Sequence, residues 1–141
     1  MKILVAIDGS PQALSALERL VAKFGFFRDT PRLTLIHAHP PVPYKAAAHW
    51  VGHEAVERYY SEESDAALAT AREFLTARGI AFDVVKRIGN PAEEIVAQAA
   101  AGNYDMIAMG THGHTALANL VMGSVATRVV ATATVPVLLM K

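Results

Sequence analysis

The stretch MGTHGHTALANLVMGS, Met109–Ser124, places Gly110, Gly113 and Gly123 in a segment with no proline and only two ionisable side chains, His112 and His114. Glycine admits positive φ and lets a ligand approach the main chain with no Cβ in the way. Ser124 stands where a helix is expected to begin. A helix start offers free N–H groups and the positive end of the helix dipole. Exposed amides leading into a helix can cradle a phosphate chain without a lysine, and this segment contains none. Three glycines are also ordinary turn chemistry between a strand and a helix, so the neighbouring elements must decide between the two readings.

Other residues could do chemistry. Asp8 ends an apolar run, where it suits either a turn or a ligand. His37 and His39 are two apart, as are His112 and His114. On extended chain such pairs share a side, and imidazole pairs bind Zn2+ or Cu2+. No carboxylate or cysteine completes a ligand set at a suitable spacing, which favours loop or pocket-lining histidines. Ser10 and Ser124 are not in a G-x-S-x-G elbow; helix capping is the expected role of both. Trp50, Tyr59 and Tyr60 read as packing or interface residues. Neither a G-x-x-x-x-G-K-[ST] loop nor a G-x-G-x-x-G after the first strand occurs, which argues against a P-loop and a Rossmann dinucleotide site.

These residues need elements to hold them. KILVAI is a continuous apolar run, the habit of a strand buried on both faces. Ser10 and Pro11 start a helix whose face is Leu14, Leu17, Val21 and Phe24 and whose end is set at Gly25. Arg32–Ala38 is the second strand. Pro40, Pro41 and Pro43 then exclude helix and central strand. A long amphipathic helix is expected from about His49 to Arg78, closed by Gly79. Ile80–Ile88 is the third strand. Asn90 caps a helix with Pro91 at its first position and Glu93 and Glu94 in its first turn. Tyr104–Met109, a helix over Ser124–Thr132 and a strand over Val135–Met140 complete the chain. Regular alternation of strand and helix implies a doubly wound α/β domain, a parallel sheet with helices on both faces. Ligands bind such sheets outside the carboxyl ends of the strands, at the switch point. Asp8, Ala38, the Gly89–Pro91 turn and the glycine segment all fall at strand ends.

Composition agrees. The 141 residues suit one domain, 1–141. They are 52% hydrophobic and 18% charged, with 13 basic and 13 acidic side chains. Balanced charge gives no electrostatic case for nucleic acid or an acidic membrane. The absence of cysteine excludes disulfides and thiolate metal sites. No apolar run approaches a membrane span of ~20 residues, and Ile3–Ile7 is too short for a signal-peptide core, so a cytoplasmic protein is expected.

The spacing G-x2-G-x9-G-[ST], filled by Gly110, Gly113, Gly123 and Ser124, resembles the ATP-binding signature of the universal stress protein family. ILVAIDGS is similar to the family's opening strand and acidic turn, IGNPAEEIVAQA to its G-x-P-A-x-x-I segment, and YDMIAMGTHGHT with GSVATRVVATATVPVLLM to its closing half. The likeness is weakest from about His39 to Arg78. The resemblance implies five strands in the order 3-2-1-4-5. It implies that Gly110, Gly113, Gly123 and Ser124 hold ATP phosphates, with Asp8 near ribose and triphosphate through a Mg2+ or Mn2+ ion. It also implies that Ala38 contacts adenine through its backbone and that Met109 and the Gly89–Pro91 turn line the base pocket. The chain departs from the pattern at His114, where many members carry Arg or Lys, and at Ala116, a frequent glycine. A neutral histidine neutralises phosphate less than either cation. The family's frequent pairing of the last strand with its copy implies a homodimer.

Three functions follow as expectations. The first is an ATP-binding stress-response regulator with slow or no hydrolysis, since no general base or arginine finger is evident in the loop. The second is an enzyme cleaving ATP between the α and β phosphates, which the DGSPQ turn disfavours because related enzymes carry S-G-G-x-D-S there. The third is a ligand-free dimeric interaction protein.

Overall fold

The computed structural model describes residues 1–43, 52–113 and 122–141. Among them the chain runs β1 (Lys2–Ala6), α1 (Pro11–Ala22), β2 (Arg32–His39), α2 (His53–Ala77), β3 (Phe82–Ile88), α3 (Pro91–Ala101), β4 (Met106–Gly110), α4 (Ser124–Thr132) and β5 (Val137–Met140). The five strands form one sheet in the order β3-β2-β1-β4-β5, and every pairing is parallel. The order 3-2-1-4-5 is therefore the observed one.

Alternation along the central strands builds the two halves of the core. Ile3, Val5 and Ile7 pack on Leu17 and Leu20 of α1 and on Leu68 and Leu75 of α2. Leu4 of β1 and Ile107 of β4 face the other way, onto Ile95 and Ala99 of α3 and Val129 of α4. Successive strand residues point to opposite faces, so a strand covered by helices on both sides must be apolar throughout. Leu4, Leu17, Leu35 and Ile107 are fully buried; truncating such a residue to Ala costs about 2–5 kcal/mol.

Helix starts follow local chemistry in two places. Ser10 Oγ accepts from the Ala13 N–H at 3.1 Å, and Asn90 Oδ1 accepts from Ala92 and Glu93. Each precedes a proline at the first helical position. Two expectations need correction. Gly25 does not end α1. The helix stops at Ala22, and Phe24–Phe26 tighten into a 3-10 turn. Phe24 and Phe27 meet edge to face at 6.4 Å and pack against the core, so tertiary packing turns the chain before the glycine. Ser124 is not a cap either: Gly123, extended at φ −57° and ψ 156°, precedes α4, and Ser124 is its first helical residue.

Boundaries otherwise move by a residue or two. The long helix begins at His53 after Gly52, and Gly79, with φ +65°, follows its end as expected of a glycine there. The expected start near His49, together with Trp50, His114 and Ala116, lies outside the described residues.

Candidate functional site

β1 lies between β2 and β4 in the sheet, so the chain after β1 and the chain after β4 leave side by side at the carboxyl edge. A cavity of about 370 Å³ opens there. Asp8, Ala38, Met109, Gly110, Gly113, Gly123 and Ser124 all line it. These are the sequence-predicted site residues that fall within the described chain. Of the Gly89–Pro91 turn, Pro91 reaches the cavity.

Asp8 takes the turn role and also lines the cavity. Its Oδ1 accepts from the Ser10 N–H at 2.9 Å and from the Ser10 hydroxyl at 2.5 Å, an Asx turn that leads into α1. Its Oδ2 lies against Gly113: a Cβ at that glycine would stand 2.5 Å from the carboxylate oxygen. A side chain at residue 113 would require the Asp8 carboxylate to shift from its present position. Gly123 differs. A Cβ there would meet the Thr111 carbonyl oxygen at 3.5 Å, an ordinary contact. Packing alone does not demand that glycine, but its Cβ would take space beside the cavity.

The start of α4 is the second feature. The Gly123 N–H donates to the Thr111 carbonyl at 2.7 Å, which closes the glycine segment on itself. Among the described residues no side-chain hydrogen bond caps the helix. Ser124, Val125 and Ala126, its first three residues, all line the cavity. Their N–H groups belong to the set a helix cannot satisfy internally. At α1 and α3 a side chain meets this need. At α4 the cavity takes that place, together with the positive end of the dipole.

Sequence reasoning missed several walls. Ala6, Ile36, Ile95 and Val125 supply apolar surface and Thr111 polar surface; His112, read from the sequence as a loop or pocket-lining histidine, stands beside Thr111 in the wall. The Thr111 Oγ1 and His112 Nδ1 are 2.9 Å apart. The apolar residues carry no signal beyond core periodicity and are found only once the strands are aligned. The histidine pair at β2 is tied into the fold. His37 Nδ1 bonds the Ile7 carbonyl at 2.8 Å and His39 Nδ1 the Pro40 carbonyl at 2.6 Å. His39 also packs on Tyr59 and Tyr60. Tyr60 is buried, and its hydroxyl accepts from the Val42 N–H at 2.8 Å. Among the described residues no group of three or more His, Cys, Asp or Glu is placed to hold a metal ion.

The fold is a doubly wound α/β domain, and its apolar cavity with a few polar groups lies at the switch point, where sheets of this class bind their ligands. A model of the universal stress protein family matches residues 1–141, and the chain belongs to that family. It is 32% identical over 142 residues to universal stress protein MJ0531 of Methanocaldococcus jannaschii, covering 99% of this chain and 81% of that protein. It is 34% identical over 140 residues to the Thermus aquaticus universal stress protein encoded in the QAH/OAS sulfhydrylase 3′ region, covering 99% and 97%. Among solved structures, MJ0577 superposes with a TM-score of 0.81 at 28% identity, covering 99% of this chain and 94% of that one. More distant members share the fold and contain nucleotides. A universal stress protein in complex with cAMP has a TM-score of 0.70 at 22% identity, covering 100% and 97%. An Arabidopsis thaliana member with AMP bound has 0.68 at 16%, covering 100% and 91%. An Archaeoglobus fulgidus member with dAMP has 0.68 at 21%, covering 100% and 98%.

Proposed function

We propose that this protein is a cytoplasmic adenine-nucleotide-binding regulator of the stress response that holds its ligand without turning it over quickly. The observation that carries the reading is the uncapped start of α4, which faces the same cavity as Gly113 and Asp8. Backbone N–H groups there would receive phosphate oxygens. The apolar walls of Ile36, Ala38, Ile95 and Met109 would enclose the base.

The residues also fit a divalent ion that comes with the ligand. Asp8 is the one carboxylate lining the cavity, and no lysine or arginine lines it among the described residues. Mg2+ is commonly held by one or two carboxylates plus phosphates and water. A carboxylate and a phosphate charge 4 Å apart repel by about 4 kcal/mol at an effective dielectric of 20. A triphosphate therefore needs Mg2+ or Mn2+ beside Asp8, whereas AMP or a cyclic monophosphate needs it less. Asp8 Oδ1 is engaged by Ser10, and no cationic side chain stands ready for the transition state of phosphoryl transfer. Both features favour binding over hydrolysis.

Titration calorimetry tests the proposal. Saturable binding of AMP, cAMP and Mg-ATP is expected. Gly123→Val should weaken all three at least tenfold by filling space beside the cavity. No heat with any of the three ligands overturns the reading.

A further inference from the structure

We propose that His37 determines ligand specificity: its Nε2 accepts a hydrogen bond from a donor on the nucleoside portion of the ligand. This rests on the nucleotide-binding function proposed above. His37 stands near the carboxyl end of β2, is only 7% exposed and lines the cavity. Its Nδ1 is 2.8 Å from the Ile7 carbonyl oxygen. A carbonyl oxygen only accepts, so Nδ1 carries the proton, and in the neutral ring Nε2 is then an acceptor. The bond to Ile7 is the only hydrogen bond the His37 side chain makes among the described residues. The only sealed side-chain polar atom without a partner among them is Arg72 Nε, so Nε2 of His37 opens onto accessible space. The space His37 borders is the cavity.

The strand order says which part of a ligand arrives there. The glycine segment leaves β4, His37 lies on β2, and β1 is between them. Two strand spacings are about 10 Å. A nucleotide with its phosphate at Gly113 and the start of α4 must cross β1 to reach β2, so its nucleoside meets His37. The cavity that His37 lines is mostly apolar, with Ile7, Ile36 and Ala38 in its wall, and the His39 ring stands 6.2 Å from the imidazole. A buried acceptor left unpaired in such surroundings is unfavourable. A ribose hydroxyl or a purine amino group would satisfy it, and a ligand without that donor would be selected against.

His37→Asn separates the two ring nitrogens. The asparagine amide can still donate to the Ile7 carbonyl but has no atom at the Nε2 position. Affinities of wild type and variant are measured for AMP, 2′-deoxy-AMP, 3′-deoxy-AMP and purine riboside 5′-monophosphate. Wild type is expected to bind AMP about threefold to tenfold more tightly than the analogue missing the donor, the size of one neutral hydrogen bond. His37→Asn should bind that pair equally. The analogue affected identifies ribose or purine as the source. The 15N signal of His37 Nε2 in wild type gives a second measurement free of any folding defect in the variant: it should move upfield on saturation with AMP. AMP binding with the same discrimination in both proteins, or an unmoved Nε2 signal, overturns this assignment alone. Failure of wild type to bind AMP overturns the nucleotide-binding function as well.

Discussion

Asp8 shows how one side chain serves the fold and the site. Its Oδ1 orders the turn into α1 through Ser10, and its Oδ2 stands where a Cβ of residue 113 would come within 2.5 Å. Under the proposed function this carboxylate would oppose bare phosphate in the cavity it lines. Asp8→Asn removes that charge at nearly constant shape. Binding of ATP without metal should strengthen in the variant, and the gain from Mg2+ should shrink about tenfold or more, as a change of ~1.4 kcal/mol or above requires. Calorimetry with and without EDTA reads both. An unchanged Mg2+ dependence would remove Asp8 from the metal's surroundings. Asp8 was legible in the sequence because it follows a buried strand. The steric tie to Gly113 was not, because the two are far apart in the chain and meet only through the β1–β4 pairing.

At the scale of elements, the helix starts differ: α1 and α3 carry a side-chain cap, while α2 and α4 follow Gly52 and Gly123. Ser10 and Asn90 satisfy the first N–H groups of helices that begin on the protein itself. α4 begins on the cavity and has no side-chain cap among the described residues. α2 is tied to β3 by charge: Asp65 pairs with Lys86 at 2.7 Å and Arg72 at 3.0 Å. The hydrogen bond from Lys86 is the main cause that holds the Asp65 carboxyl below its ordinary value of 3.8; the positive charges of Lys86 and Arg72 add to it, while partial desolvation opposes it. A depressed carboxyl favours the folded state above the unfolded-state pKa, and that contribution is lost as pH falls through the folded value. Asp65→Asn should thus lower the urea midpoint slightly at neutral pH, with the gap closing as pH falls below the ordinary carboxyl value of 3.8. Salt should shrink it too, because the pair is half-exposed. A gap that persists in acid would show that the loss is not one of charge.

The whole sheet has two unlike edges. β3 carries Asp83, Lys86 and Arg87 along its length, charges that discourage pairing with another chain. β5 is Val-Leu-Leu-Met, and each residue is only partly buried. An apolar edge with open N–H and C=O groups is an aggregation hazard unless it is covered. We propose that a second copy covers it through antiparallel pairing of β5, giving a homodimer. Light scattering at micromolar concentration should report twice the 15.1 kDa chain mass, and a monomer would count against the pairing. No helix among the described residues is long and apolar enough to cross a membrane.

The sequence by itself determined the layered plan: near-continuous apolar strands with amphipathic helices between them admit only a parallel sheet covered on both faces. It also marked the polar ends, since Ser10, Asn90 and Asp8 act within a few residues of themselves. Strand order came from family likeness, because alternation is the same for either common doubly wound order. Only the tertiary structure decided that Gly25 sits in a turn set by Phe24 and Phe27, and that Ser124 follows its cap. It alone showed that the Asp8 carboxylate lies against Gly113, and that His37 has one ring nitrogen bonded to Ile7 and the other without a partner among the described residues. Each of these depends on contacts between residues distant in the chain, and the periodicity of a single segment carries no information about what a neighbouring strand will bring to it.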